Sequence, residues 1–229
     1  GQRGVDVQGF LRDSDLLLPR QGCQGLHIVQ AVGQLDHDHP DVIYRRQEDL
    51  AACAVLGARP RHLPVPDCIY RRSPETGEAL YASEQALFGA LHPEDDNLIS
   101  ELTDFLARNL PSRAKLVCPL SIGSHVDHQL TRAAVEKLGR CLWYYADYPY
   151  VEKQTPKGSG LLPPGSKKEV FPVSEAGVSA WVQAVTAYRS QISTFWQSLA
   201  AMETAVRNYW LRNGGVILWH AGGSSEHNP

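Results

Sequence analysis

The sequence lacks the features of membrane-spanning, secreted and charge-driven binding proteins. Among its 229 residues no stretch approaches 18 consecutive apolar residues, which argues against a transmembrane helix. Basic runs are absent, and 22 Lys and Arg against 25 Asp and Glu leave a net charge of -3, so binding to nucleic acid or membrane surfaces through charge is not expected. The start of the chain, GQRG, has no apolar segment behind it and does not resemble a signal peptide.

Cysteine is scarce and unpatterned. The five cysteines are odd in number and never form a CxxC pair, which excludes a disulfide framework and a zinc knuckle. They are Cys23, Cys53, Cys68, Cys118 and Cys141. We expect reduced and mostly buried thiols in a cytoplasmic protein. With 43% hydrophobic and 21% charged residues, the chain should fold as one large domain or two small ones without disulfides.

The order of hydrophobic patterns predicts an α/β fold. Helices are expected over 41–56, 93–110 and 124–138, and strands over 61–66, 114–120 and 141–145. Because helix and strand alternate over 94–145, the pattern predicts a mostly parallel sheet with crossover helices.

Other segments have weaker or different patterns. One or two helical turns are expected over 84–90, a Pro- and Gly-rich loop over 155–172, and a long helix over 175–211. Residues 1–35 are rich in Gln and Gly and have no sustained period, although 16–18 and 26–32 each have the character of a short strand. We therefore expect an atypical segment over 1–35, one α/β domain over 36–212 and a tail over 213–229.

One group of polar residues carries a chemical signal. The segment 121–128, SIGSHVDH, follows a predicted strand and opens a predicted helix, and ligands bind at the carboxyl ends of strands in open parallel sheets. His125 and His128 are three residues apart, so they project from the same side of a helical turn. Asp127 can orient an imidazole. Two imidazoles and a carboxylate suit a divalent metal such as zinc.

The same segment also has a purely structural interpretation. Ser124 and Asp127 form the S-x-x-D pattern of a capping box, which starts a helix without any catalytic role. The two interpretations are compatible, because a capped helix is a rigid support for ligands. The positive end of the helix dipole also favours neutral imidazoles at His125 and His128, and metal binding requires the neutral form.

Residues 118–151 resemble a known family of hydrolases. They contain H-x-D-H after a strand, formed by His125, Asp127 and His128, which is similar to the second signature of the PIG-L/LmbE-like zinc-dependent N-acetylglucosaminyl de-N-acetylases. Similar segments lie at 45–58, 66–71 and 188–192, so that the resemblance spans about 42–212. The resemblance implies a Rossmann-like α/β fold, with helices on both faces of a mostly parallel sheet.

The resemblance also implies roles for particular residues. His128 would be a metal ligand, His125 would stabilise the oxyanion or protonate the leaving amine, and Asp127 would set the charge state of a neighbouring histidine. Arg46 and Asp67 would contact substrate, although an exposed helix charge and a turn former are the simpler interpretations of these two. The implied cofactor is Zn²⁺ or another divalent metal. The implied substrate is an acetylated amino-sugar conjugate. Neither a nucleic-acid partner nor a membrane span is expected, and a homo-oligomer is possible.

The first signature of the family, an H-P-D-D motif well upstream of segment 45–58, is not found. His39 and Pro40 precede Asp41 and Val42, but they lie too close to that segment. Segment 92–96, HPEDD, lies downstream of it and is better interpreted as the first turn of a helix. Segment 36–39, DHDH, is an alternative metal loop or a solvated one.

Two interpretations of the missing motif follow. We hypothesise that residues 1–35 are not native to the family, as truncation or a change of reading frame would produce. The general base and the remaining ligands are then unassigned, and the alternative function is an inactive sugar- or metal-binding relative. A nucleotide-binding domain is disfavoured, since neither GxGxxG nor a P-loop is present.

Aromatic residues and a lysine-containing loop follow the H-x-D-H segment. Some of the aromatics in 143–150 could stack on a sugar ring, but buried and edge positions of a strand are the simpler interpretation. The loop between Lys157 and Lys168 could act as a lid or be an ordinary surface loop.

Overall fold

The computed structural model describes residues 26–28, 40–63, 65–154, 156 and 160–221. In this part of the chain five strands form one sheet in the order β1-β2-β3-β5-β4. They are β1 (Leu26–Ile28), β2 (Lys115–Pro119), β3 (Leu142–Tyr145), β4 (Ser166–Phe171) and β5 (Val216–Ala221). The first three strands are parallel, and β5 runs antiparallel to both β3 and β4. The predicted α/β, Rossmann-like fold class is confirmed.

Seven α-helices accompany the strands among the described residues. They are α1 (Pro40–Leu56), α2 (Glu84–Leu87), α3 (Asp95–Asn109), α4 (Val126–Glu136), α5 (Glu175–Ala187), α6 (Arg189–Phe195) and α7 (Leu199–Asn213). Short 3-10 turns occur at Cys68–Tyr70 and Tyr150–Glu152. No helix in the described ranges is both long and apolar enough to cross a membrane.

The core is built by alternation along the central strands. Leu116 and Cys118 of β2 join the main cluster beside α3 and α4, while Val117 between them belongs to a second cluster with Leu218. Leu130 of α4 lies in the main cluster as well. A fully buried leucine or valine contributes about 1.5–3 kcal/mol to folding. This packing holds the β2–α4 junction, where the H-x-D-H segment lies, on a rigid base.

The sequence predictions for 61–66 and 155–172 are corrected. Residues 61–63 and 65–66 form no strand, because Pro64 and Pro66 have no backbone N–H to donate to a ladder. The predicted loop instead contains β4, whose residues pair with β5 from Ser166 opposite Ala221 to Phe171 opposite Val216. Lys167 and Lys168 therefore lie on a strand, and they do not belong to a lid.

The carboxyl-terminal third of the chain differs from the prediction in two ways. The single helix expected over 175–211 is three helices, because Tyr188 leaves the helical region at φ -82° and ψ 61° and Trp196 is extended. The tail expected over 213–229 is wrong for 216–221, which form β5. Gly214 and Gly215, with φ of 73° and 153°, end α7 and turn the chain back into the sheet.

The amino-terminal predictions fall mostly outside the described residues. Of residues 1–35 only 26–28 are described, and they form β1, which pairs in register with β2 from Leu26 opposite Lys115. The hypothesis that 1–35 are not native to the family stays a prediction. Segment 36–39 lies outside the described residues, and α1 begins at Pro40.

Candidate metal and catalytic site

The candidate site lies on the loop that joins β2 to α4, at the carboxyl edge of the parallel strands. The loop has an unusual backbone, since Ser121, Gly123 and Ser124 all adopt the left-handed region, with φ of 64°, 84° and 59°. A left-handed backbone is uncommon for residues other than glycine and is concentrated at functional sites. The loop is fastened where the backbone N–H of Ile122 donates to Oδ2 of Asp147 over 2.9 Å.

His125 begins the helix that carries the motif. It is the N-cap of α4, and its Nδ1 accepts a hydrogen bond of 3.3 Å from the backbone N–H of Asp127. The predicted capping box is therefore wrong in its first member, because the left-handed backbone of Ser124 delays the helix by one residue. Since Nδ1 of His125 accepts, the neutral ring carries its proton on Nε2 and can donate it from there.

His128 is oriented by a carboxylate that the sequence analysis missed. Its Nδ1 lies 2.7 Å from Oδ1 of Asp147, and both side chains are buried. A carboxylate beside Nδ1 is typical of metal-binding histidines, because it orients the ring and leaves Nε2 for the metal. Asp147 lies two residues after the end of β3, and the motif lies shortly after the end of β2, so both are at the same edge of the sheet.

Asp127 belongs to a buried network of charges. Arg71 donates to Asp127 and, over 2.6 Å, to Oδ2 of Asp95. The hydroxyl of Tyr81 also donates to Oδ2 of Asp95, over 2.5 Å. Burial raises the pKa of the Asp127 carboxyl above its ordinary value, and the Arg71 guanidinium opposes this shift. The predicted effect of Asp127 on a histidine stays a prediction; the structure pairs its carboxylate with Arg71.

Segment 92–96 starts a helix, as its simpler interpretation predicts. α3 begins at Asp95, with Asp95 and Asp96 in its first turn, where negative charge favours the helix dipole. Asp95 is not a surface charge, because it is only 2% exposed. Its Oδ2 accepts hydrogen bonds from both Arg71 and Tyr81.

The two predicted substrate contacts have different surroundings. Asp67 caps the 3-10 turn Cys68–Tyr70, accepting from the backbone N–H of Ile69 over 3.2 Å, and it lies 3.6 Å from Arg45. Burial raises the pKa of Asp67, and the nearby carboxylate of Asp127 adds to the shift. Asp67 is therefore a turn former, as its simpler interpretation predicts, and its carboxylate also lies close to Asp127 of the motif. Arg46 lies half-buried on α1, and its role stays a prediction.

Aromatic rings surround the two histidines. Phe88 approaches His125 edge-on with ring centroids 5.3 Å apart, and Tyr150 approaches His128 at 5.9 Å. Phe195 packs edge-on against Tyr150 at 5.7 Å. Among the aromatics after the motif, Tyr144 is a core residue of β3, as expected for a strand, and Tyr150 borders the site.

Gly123 is required by both its backbone and its neighbour. A Cβ at this position would lie 2.7 Å from the ring of Tyr150. We predict that Gly123→Ala lowers the free energy of unfolding by about 1–3 kcal/mol for the backbone strain alone, and by more because the Tyr150 ring must move. Urea denaturation measures this change. Gly139→Ala is the matched control, since Gly139 has φ 63° but open space around its Cβ position. Equal losses in the two variants would contradict a role for the Tyr150 contact.

The residues of the site suit a divalent metal ion. Ligand atoms of Cys68, His125 and Asp127 lie within 4.8 Å of one another, and His128 is held by Asp147 in the manner of a ligand. Imidazole, carboxylate and thiolate are the donors that borderline-soft divalent metals prefer. The donor set therefore fits the predicted class of cofactor.

Comparison with known proteins identifies similar solved structures. No protein-family profile and no curated protein matches the sequence. The zinc-inhibited form of the teicoplanin deacetylase Orf2 is 26% identical over 82% of this chain and 77% of that one, with a TM-score of 0.66. A deacetylase–teicoplanin complex is 27% identical over 80% and 74%, with a TM-score of 0.63. The A40926 pseudoaglycone deacetylase Dbv21, 22% identical over 86% and 85% with a TM-score of 0.57, shares the fold.

Proposed function

We propose that this chain, which resembles the PIG-L/LmbE-like deacetylases and is similar in structure to the teicoplanin deacetylase, removes an acetyl group from an N-acetylglucosamine-type amide with the help of a bound metal. The observation that carries the proposal is the pairing of His128 with Asp147, beside His125, at the edge of a sheet that resembles the teicoplanin deacetylase. The predicted resemblance to the family is confirmed, and a deacetylase is the function that it supports.

His128 is the residue that we assign to the metal. Its Nδ1 is engaged by Asp147, so its Nε2 is the atom directed to a ligand. Zinc is the metal we propose, and when bound it lowers the pKa of a water molecule to about 7 and polarises the acetyl carbonyl. The remaining ligands and the general base are unassigned in this chain. In the family they belong to the first signature, which lies upstream of the segment that corresponds to α1.

His125 is the residue that we assign to proton transfer. Its Nδ1 is occupied by the backbone of Asp127, which leaves Nε2–H to donate to the oxyanion or to the departing amine. The Phe88 ring fixes the imidazole plane from one side, and the His128 ring lies 5.4 Å away on another. A donor held in this way needs no rearrangement when charge develops on the substrate.

The aromatic rings near the histidines favour a substrate with an apolar face. Phe88, Tyr150 and Phe195 form a continuous set of contacts beside the imidazoles. One similar deacetylase structure contains teicoplanin, so an acetylated glycopeptide or related amino-sugar conjugate is the class that we propose here. Contacts of Arg46 and Asp67 with such a substrate remain part of the proposal, as do a cytoplasmic location and a homo-oligomer.

The test is release of acetate from N-acetylglucosamine conjugates by the full chain supplied with zinc. We expect turnover that stops after chelation and returns when zinc is restored. The inactive relative that the sequence left as an alternative gains no support from the comparisons. It would be the better account if no conjugate, simple sugar or glycopeptide released acetate at any metal concentration.

Asp147→Asn tests the orientation of His128. Asparagine keeps the size of the side chain and an acceptor for Ile122, but one of its two positions becomes an NH₂ group that cannot accept from Nδ1–H. We predict that zinc affinity falls roughly 10–100-fold, the range seen for partners of metal-bound histidines. Isothermal titration with zinc measures this change. Asp104→Asn, an exposed carboxylate on α3, is the control, and equal affinities in both variants would contradict the assignment.

A further inference from the structure

Cys68 brings a sulfur atom next to the H-x-D-H turn. It lies on the 3-10 turn Cys68–Tyr70, and its Sγ is part of the group of ligand atoms, with those of His125 and Asp127, that lie within 4.8 Å of one another. The three residues are only 1%, 4% and 9% exposed. A small movement of the side chains would bring sulfur, nitrogen and oxygen to bonding distance of one ion. Sulfur and nitrogen together select thiophilic metals such as Zn²⁺ and Cd²⁺.

The positions of these donors are fixed by hydrogen bonds. The backbone N–H of Cys68 donates to Oδ2 of Asp127 over 3.4 Å, which joins the 3-10 turn to the first turn of α4. Arg71 donates to the other carboxylate oxygen of Asp127, Oδ1, so Oδ2 of Asp127 faces Cys68. The Cys68 thiol donates to Oδ1 of Asp67 over 3.4 Å, and Asp67 is itself fixed by capping the turn.

The local charge favours a cation. Three buried carboxylates, those of Asp67, Asp95 and Asp127, are accompanied by the guanidinium groups of Arg45 and Arg71. The carboxyl groups outnumber the guanidinium groups by one, and burial raises the pKa of Asp67 and Asp127, so a bound cation would favour their ionised forms. When the ion binds, the S–H bond of Cys68 breaks, its proton passes to solvent and the thiolate becomes the ligand.

We propose that Cys68, His125 and Asp127 form a second metal site, which takes a thiophilic divalent cation and switches the enzyme off. This inference rests on the proposed function, because the inhibition follows from the role of His125. Because Nδ1 of His125 accepts from the backbone of Asp127, Nε2 is the atom left for this ion, and an Nε2 bound to metal has no proton to give to the oxyanion or the leaving amine. The pair His128–Asp147 is not part of the second site, so the two metals are held by different residues.

The direct test is a titration of the full chain with Co²⁺ in the absence of substrate. A cobalt ion bound to a thiolate gives a sulfur-to-metal charge-transfer absorption in the near ultraviolet. We expect this absorption in the unmodified chain and its loss in Cys68→Ser. Cys118→Ser is the matched control, since Cys118 is equally buried but packs in the main core, and Cys141→Ser controls for the exposed thiol. Absorption that is absent from the unmodified chain, or that survives in Cys68→Ser, would overturn the proposal.

A second measurement tests the site without the Cys68→Ser variant, in case that variant fails to fold. Cadmium NMR of the unmodified chain reports a sulfur ligand through the chemical shift of the metal. A resonance in the range of mixed sulfur, nitrogen and oxygen coordination supports the site, and shifts of oxygen and nitrogen ligands alone overturn it.

Inhibition is tested separately from binding. The zinc concentration that halves acetate release, normalised to each variant's own uninhibited rate, should rise roughly 10–100-fold in Cys68→Ser and stay unchanged in Cys118→Ser. An equal inhibition of all variants would overturn the switch. Because the spectroscopic measurements need no turnover, a chain without activity would contradict the proposed function and leave the Cys68 site to be judged on its own.

Discussion

His128→Ala is expected to remove the catalytic metal and acetate release together. In the unmodified chain the ring is buried and held at 2.7 Å by Asp147, so alanine deletes both the ligand and the group that the carboxylate positions. A metal site that loses one of about three protein ligands binds its ion far more weakly. Elemental analysis of the dialysed protein should therefore show near-stoichiometric zinc in the unmodified chain and a large loss in the variant.

The control for His128→Ala is the same substitution at a histidine that lies outside the site. His220 on β5 serves this purpose, because it is half-buried and packs on Trp143. His220→Ala should keep both metal and turnover. The decisive comparison is between Cys68→Ser and the double variant Cys68→Ser/His128→Ala, in which the second site is blocked. Equal zinc in these two proteins would remove His128 from the proposed ligands.

His125→Asn is expected to lower kcat about 10²–10⁴-fold, the contribution of a positioned acid or base, while the zinc assigned to His128 stays bound. Asparagine is a good N-cap residue, so α4 should keep its first turn, whereas a simple alanine would also lose about 1 kcal/mol of capping. The measurement is steady-state kinetics beside urea denaturation. Because proton donation acts on the transition state, KM should change much less than kcat.

The alanine and asparagine variants separate catalysis from stability. His125→Ala should lose both turnover and stability, and His125→Asn should lose turnover alone. Turnover that recovers in His125→Asn would show that the residue acts only by capping α4, and the assignment of His125 to proton transfer would fall.

Much of the framework around the site could be predicted from local patterns. The run of apolar residues in β2, the period of α4 and the H-x-D-H spacing are all contained within 114–138, so the sequence places His125 and His128 at a strand–helix junction. The N-cap of α4 is His125 and not the predicted Ser124, because the left-handed backbone of Ser124 has no sequence signal comparable to glycine.

The partners of these residues depend on contacts between distant segments. Asp147 meets His128 because β2 and β3 are parallel with Pro119 opposite Tyr145, which brings the ends of both strands to one edge. A search for acidic residues just after each predicted strand would have found Asp147. Arg71 reaches Asp127 across 56 residues, and no local pattern indicates such a pair.

The carboxyl-terminal strand was missed for a related reason. Residues 216–221 are central only because β5 enters between β3 and β4, and short apolar runs near a chain end have the same pattern as a frayed tail. A buried position in a sheet is decided by its neighbours, which a single sequence does not reveal.

The left-handed serines of the β2–α4 loop set a limit for protein engineering. Glycine at Ser121 or Ser124 would relieve the local backbone strain, and stabilising changes of this kind are easy to find in natural proteins. The same change would let the loop sample other conformations, and the two imidazoles depend on that loop for their placement. In this fold thermal robustness and catalytic precision therefore compete at two named residues, and a search for heat-resistant variants should hold both serines fixed.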